Sequence, residues 1–175
     1  MKRKLIYFSI ICTLLVACGS NDKPKRPDGM AKNTGELKFQ DYSFENPPQF
    51  RKDGDLRFYD SNTQEELFHI ETEVASTDES RARGLMFRKE MLENQGMFFL
   101  FAKDEIQAFY MRNTLIPLDI LYVNSKMEIV DIYKNTKPKD ETSLPSKEPA
   151  KYVIEINAGL CDKYNIEIGD YIVFD

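Results

Sequence analysis

From about Leu37 onward the chain is written in short apolar runs broken by Gly, Pro, Asn, Asp and Ser, a rhythm that predicts strands and few helices. Leu56-Arg57-Phe58-Tyr59 reads as a strand and Asp60–Thr63 as a turn. Glu66–Val74 then alternates, placing Phe68, Ile70, Thr72 and Val74 on one face and His69 on the other. Thr77 is suited to cap a short helix over Asp78–Arg83, with Asp78 and Glu79 in its favourable first turn and Gly84 as its terminator. Arg88–Leu92 is expected to add one more helical turn. Gly96–Phe101 is an unbroken apolar run, the pattern of a central strand buried on both faces. Ala108–Asn113 and Leu118–Val123 follow at strand length, and Asn124-Ser125 turns the chain into Lys126–Tyr133 to make a hairpin. Lys134–Pro149 is polar and Pro-rich, hence a long loop; Lys151–Asn157 is a strand, Ala158–Tyr164 a short helical or irregular segment, and Gly169-Asp170 a turn before Tyr171–Phe174. Together these elements predict a mainly β domain, an antiparallel sandwich or barrel-like fold with one or two short helices.

The N-terminus departs from that rhythm. Met1–Lys4 is basic, and Leu5–Ala17 is free of charge but, at thirteen residues, shorter than the ~20 a membrane-spanning helix needs. It has the length of a secretory h-region. The run closes on Leu15-Val16-Ala17-Cys18, followed by Gly19 and Ser20, and resembles the lipobox of bacterial lipoproteins. The resemblance implies a signal peptide over residues 1–17 and lipidation of Cys18, with the bilayer as partner and the cell envelope as location. Residues 18–36 carry no aromatic side chain and read as a flexible linker that reaches at most about 60 Å when extended. Residues 37–175 form the single β-rich domain.

Charge and cysteine content follow from that division. The formal net charge is −5; cleavage before Cys18 removes three of the 24 bases and none of the 29 acids, leaving −8. An acidic body argues against nucleic acid as a partner. Of the three Cys, Cys12 leaves with the signal and Cys18 is acylated, so Cys161 is the remaining thiol and no intramolecular disulfide is expected. One His and scattered Met, mostly in strand patterns, predict no metal site and no cofactor.

Three blocks carry a family resemblance: Arg83-Gly84-Leu85-Met86-Phe87-Arg88; Gly96-Met97-Phe98-Phe99; and Met111-Arg112-Asn113-Thr114-Leu115-Ile116-Pro117-Leu118-Asp119-Ile120. With Val153–Gly159 and Gly169-Asp170 they resemble, in order and spacing, the signature of the domain of unknown function 192, across about Asp55–Asp175. One departure is Tyr110, where the family usually carries Trp. The resemblance implies a compact β-rich sandwich found in many exported bacterial proteins, and no particular activity.

Polar residues inside these blocks are the site candidates: Arg83, Arg112, Asn113, Asp119 and Glu155. An acid on an otherwise apolar strand face must reach solvent or a buried partner, and Arg83 and Arg112 are available partners for Asp119 and Glu155. Such residues either line a ligand cleft or form a network that pins loops to the sheet. Asp119 and Glu155 also have the chemistry of a general acid and base. No G-x-S-x-G elbow is present, and Cys161 has no nearby His. The basic set Arg81, Arg83, Arg88 and Lys89 either holds an anion or forms a solvated helix face. The leading expectation is a non-catalytic envelope binding module for a small ligand, glycan or protein. A carboxylate-dependent hydrolase and a purely structural interaction protein are the alternatives.

Overall fold

The computed structural model describes residues 42–175; the expected signal peptide (1–17), the expected linker (18–36) and the first residues of the expected domain (37–41) lie outside the described residues. The chain runs β1 (Gly54–Tyr59), β2 (Glu66–Ala75), α1 (Asp78–Arg83), β3 (Gln95–Glu105), β4 (Ala108–Phe109), β5 (Leu118–Val123), β6 (Ile129–Thr136), β7 (Leu144–Pro145), β8 (Ala150–Asn157), α2 (Leu160–Lys163) and β9 (Tyr171–Phe174). Seven strands form one sheet in the order β6-β5-β8-β3-β2-β1-β9, and β4 pairs with β7 in a small second sheet. The fold is mainly β, as the pattern predicts. It is mixed, however, because β2 and β3 are parallel and every other adjacent pair is antiparallel.

That parallel pair requires a crossover, which α1 and the turns after it provide. Thr77 accepts from the Ser80 N–H at 3.1 Å while Ser80 Oγ accepts from the Thr77 N–H at 2.9 Å, a reciprocal cap. Gly84 ends the helix at φ 49°, a region L side chains rarely adopt. The chain then delivers Leu85 onto the sheet, where it packs with Ala75, Met97, Phe99 and Met111, and buries Met86 beside it.

The sheet buries both faces. One core holds Leu56, Phe58, Ile70, Phe98, Leu121, Ile154, Cys161 and Ile172; the other holds Met97, Phe99, Ile120, Tyr122 and Val153 with the crossover residues. Strands with apolar cover on both sides need apolar residues at every position, which explains the unbroken runs. All six residues of β5 are buried, whereas β1 alternates. The two edge strands approach one another: Glu128 bridges Tyr171, and the Ile129 and Ile172 amides donate to Asp170 and Met127 carbonyls. The sheet therefore curls almost shut through a single bridge, short of a continuous barrel ladder.

Two expected elements are not formed. Residues 88–92 make no helical turn, because the Arg88 side chain is buried beneath the crossover and its backbone follows a 3.4 Å turn bond to Leu85. Ala108–Asn113 is a strand only at its first two residues. Met111 then bonds the Asp140 carbonyl and Asn113 takes φ 56°, which bends the segment away from any ladder. The Asn124 turn is also longer than a two-residue hairpin: the Asn124 side chain accepts from the Lys126 and Glu128 amides, and β6 begins only at Ile129.

Candidate functional site

A pocket of about 230 Å³ opens between the crossover and the sheet. Its floor is Phe99, Phe101 and Glu155, one wall is Arg81–Met86, and the opposite wall is Ala108, Phe109, Tyr110 and Thr114. The second wall is held by the small sheet. Tyr122 and Tyr133 donate their hydroxyls to the Leu144 and Pro145 carbonyls, fastening β7, and β7 pairs with β4. Gln107 adds a bond to the Ala150 carbonyl at 3.2 Å and shares backbone and Oγ bonds with Ser146. Phe109 is packed edge-on against Phe99 with centroids 4.9 Å apart, and Tyr110 stands half out of the surface at the rim. An aromatic residue thus occupies the position where Tyr replaces the family's Trp.

Glu155 is 5% exposed, yet it points into this pocket and makes no hydrogen bond among the described residues. Burial pushes its carboxyl up to about 8, with the Arg88 guanidinium pulling the other way. Glu155 is therefore a neutral acid at pH 7. Arg88, 4% exposed, is itself committed: its Nη2 lies 2.6 Å from Glu73 Oε1, a buried ion pair without a well-directed hydrogen bond. Arg88 is not on a solvated helix face, the bland reading of the basic set.

Arg83 behaves differently. Its Nε is buried with no acceptor, its guanidinium carbon lies 5.2 Å from the Tyr42 ring centroid, and it forms no ion pair among the described residues. Its neighbour Arg81 is spent on the Ser76 and Leu100 carbonyls and on Asp78. Of the five candidates, then, Arg83 and Glu155 share the pocket.

Asp119 does not join them. Strand β5 places Asp119 opposite Ile156 and Ile120 opposite Glu155. Successive strand residues face opposite sides, so the two carboxylates lie on different faces of the sheet. This overturns the hydrolase, which needs both around one bond. It also overturns the expected arginine partners: Asp119 is fully buried, accepts from the Asn135 amide at 2.8 Å and from the Cys161 amide at 3.0 Å, and has no arginine contact among the described residues. Cys161 sits in the first turn of α2, whose N-cap Gly159 offers no side chain, so Asp119 caps that helix from the neighbouring strand. The same contact and the burial hold the Cys161 thiol well above its ordinary range, as an inert protonated group.

Asn113 and Arg112 also lie outside the pocket. The Asn113 carbonyl accepts from the Phe87 amide at 2.9 Å, joining its turn to the crossover, and its amide nitrogen lies 3.9 Å from Met86 Sδ. Arg112 is exposed. Sequence reasoning missed the aromatic wall. Phe99, Phe101 and Phe109 look like ordinary core residues, and their only distinguishing signal was Tyr110 at a family aromatic position.

A small mixed-sheet β domain with an aromatic pocket beneath its crossover is the class that fold and site define. The chain belongs to the DUF192 family, described as Uncharacterized ACR, whose profile matches residues 60–174. A UPF0127 protein of Pyrococcus furiosus is 31% identical over 112 residues, 62% of this chain and 90% of its own length. A UPF0127 protein of Thermococcus sibiricus is 31% identical over 64% of this chain and 71% of its own. Two solved structures are similar. A protein of unknown function from Novosphingobium aromaticivorans has TM-score 0.64 and 37% identity, covering 68% of this chain and 83% of that one. A Sinorhizobium meliloti protein, described provisionally as a transcription regulator, has TM-score 0.68 and 29% identity, covering 73% and 98%.

Proposed function

We propose that this protein is a non-catalytic binding module of the bacterial cell envelope, anchored to the membrane through acylated Cys18, that takes a small ligand in the crossover pocket. The observation that carries the binding half is the pair Arg83 and Glu155. Folding leaves the Arg83 Nε–H without an acceptor and the buried Glu155 without a hydrogen bond among the described residues, and both residues line one aromatic cavity. Unpaired buried polar groups cost about 1–3 kcal/mol each, and a ligand that pairs them recovers that cost. The volume favours a small molecule over a glycan chain or a protein segment. The anchoring half is supported by the basic start, the thirteen-residue apolar run and Ala17-Cys18. The provisional assignment of the Sinorhizobium protein is not carried over, because the net charge of −5 opposes a polyanionic partner.

Two measurements test it. Palmitate labelling in a bacterial host is expected to mark the wild type and to vanish in Cys18→Ala; retained label in the variant removes the anchor. A thermal-shift screen against small metabolites and glycans is expected to yield stabilising ligands whose effect is lost in Glu155→Leu and Arg83→Met. Ligands that stabilise both variants as well as the wild type would place binding elsewhere. A screen with no stabilising compound would favour the structural interaction protein.

A further inference from the structure

We infer that the pocket takes a small monocarboxylic acid with an aromatic or alicyclic body, its carboxylate held jointly by Arg83 and Glu155. This rests on the small-ligand reading above and names the chemistry of that ligand.

Charge balance around the cavity selects an anion. Three arginines border or underlie it, and two are compensated, Arg81 by Asp78 and Arg88 by Glu73. Arg83 has no acid among the described residues, so one guanidinium charge remains at the pocket. Glu155 does not neutralise it, because the cation acting on Glu155 is Arg88, and burial keeps the carboxyl protonated at neutral pH. A protonated Glu155 offers an O–H donor where an ionised one would repel an anion. The Arg83 guanidinium, without an acid partner among the described residues, and the O–H of Glu155 therefore offer donors at the pocket, and a carboxylate supplies two acceptor oxygens.

The remaining lining sets the body. Leu85, Met86, Phe99, Phe101, Phe109 and Tyr110 present ring faces, edges and a thioether. Thr114 and Tyr110 are the other uncharged side chains on the wall with a polar group; the Thr114 hydroxyl already leans on the Arg112 carbonyl at 3.5 Å, and Tyr110 stands at the exposed rim. A polyol would leave most of its hydroxyls unpaired against these walls, at a cost for each. The cavity of about 230 Å³ also falls below the roughly 300 Å³ at which pockets for drug-sized ligands begin, which suits a single ring carrying one acid group.

The pH response follows from the groups that face Glu155. Arg88 with Glu73 behind it comes from the β2 and crossover side, Tyr122 from β5, and Arg83 from across the cavity. Burial with the Glu155 charge pushes the Tyr122 phenol up, so Glu155 is the group that titrates near neutrality.

The test is titration of the full chain by calorimetry with phenylacetate, cyclohexanecarboxylate, phenylacetamide and methyl β-glucoside. Both carboxylates are expected to bind at least tenfold tighter than the amide or the glucoside. Affinity for phenylacetate is expected to fall about thirtyfold from pH 6.5 to pH 9.5 as Glu155 loses its proton. Glu155→Gln, which keeps a donor but cannot ionise, is expected to bind with that pH dependence removed. Arg83→Met is expected to lose at least tenfold. Arg83→Lys, which keeps the charge but lacks the Nε–H, is expected to fall between, with melting temperatures confirming that both variants are folded. Equal affinity for the amide, or unaltered binding in Arg83→Met, would overturn the carboxylate while leaving a small-ligand pocket in place. Silence from all four probes overturns the carboxylate as well, and the broader screen then decides the pocket reading separately.

Discussion

Glu155 and Asp119 are both buried acids on adjacent central strands, and their environments assign them opposite roles. Asp119 accepts two backbone amides, those of Asn135 and Cys161, and so ties β6 and α2 to β5. Glu155 accepts none, and its carboxyl is raised to about 8. The unfolded chain releases this proton at an ordinary carboxyl pKa, so between about pH 4.5 and 8 the folded state binds more protons than the unfolded one. Stability is thus full below that window and declines as pH rises through it. Chemical denaturation of the wild type should show the decline, on the order of a few kcal/mol, and Glu155→Gln should flatten it. Asp119→Ala, by contrast, leaves the buried Cys161 amide and the part-buried Asn135 amide without their acceptor and is expected to cost about 1–3 kcal/mol at pH 7. The pocket and its ligand response should survive in whatever fraction remains folded. A variant as stable as wild type would show that the α2 cap is dispensable.

At the scale of elements, the ones legible in the sequence were those whose own residues specify them. The span of α1 follows from its cap and terminator, that of β5 from a run after Pro117 that is apolar at every position but Asp119, and that of β9 from the Gly169-Asp170 turn. The failures share a cause. Residues 88–92 and 108–113 have helix- and strand-compatible patterns, but a buried ion pair and long-range backbone bonds take their groups elsewhere. The second half of β2 shows the same thing: Glu73 is buried and Val74 only partly so, because Arg88 draws Glu73 inward. Gly96 is the tightest element contact beside the site. A Cβ there would lie 2.8 Å from the Glu155 carbonyl oxygen and 2.8 Å from Ile70 Cδ1. Gly96→Ala must spread β3 from β8 and is expected to cost about 1–3 kcal/mol, read as a drop in melting temperature, and to perturb Glu155 by displacing its backbone.

Across the whole molecule, stability is distributed from the centre outward. The ladder β5-β8-β3 is covered on both faces, whereas β4 and β7 are two-residue strands held by tyrosine hydroxyls and a few backbone bonds. Hydrogen exchange should be slowest at Phe98, Val153 and Leu121, approaching the global unfolding limit, and much faster at Ala108 and Leu144. Uniform protection would show that the aromatic wall is as rigid as the core. The sequence by itself determined a mainly β domain, its family, most strand positions and the inventory of polar residues inside the motifs, because period, turn chemistry and motif order are local properties. Tertiary structure alone decided that β2 and β3 run parallel and that the sheet curls until its edges touch. It also decided which two of five polar candidates share a pocket: a strand's alternation fixes a side, but only the pairing of β5 with β8 puts Asp119 and Glu155 on opposite sides, and only the crossover brings Arg83 to the pocket that Glu155 lines.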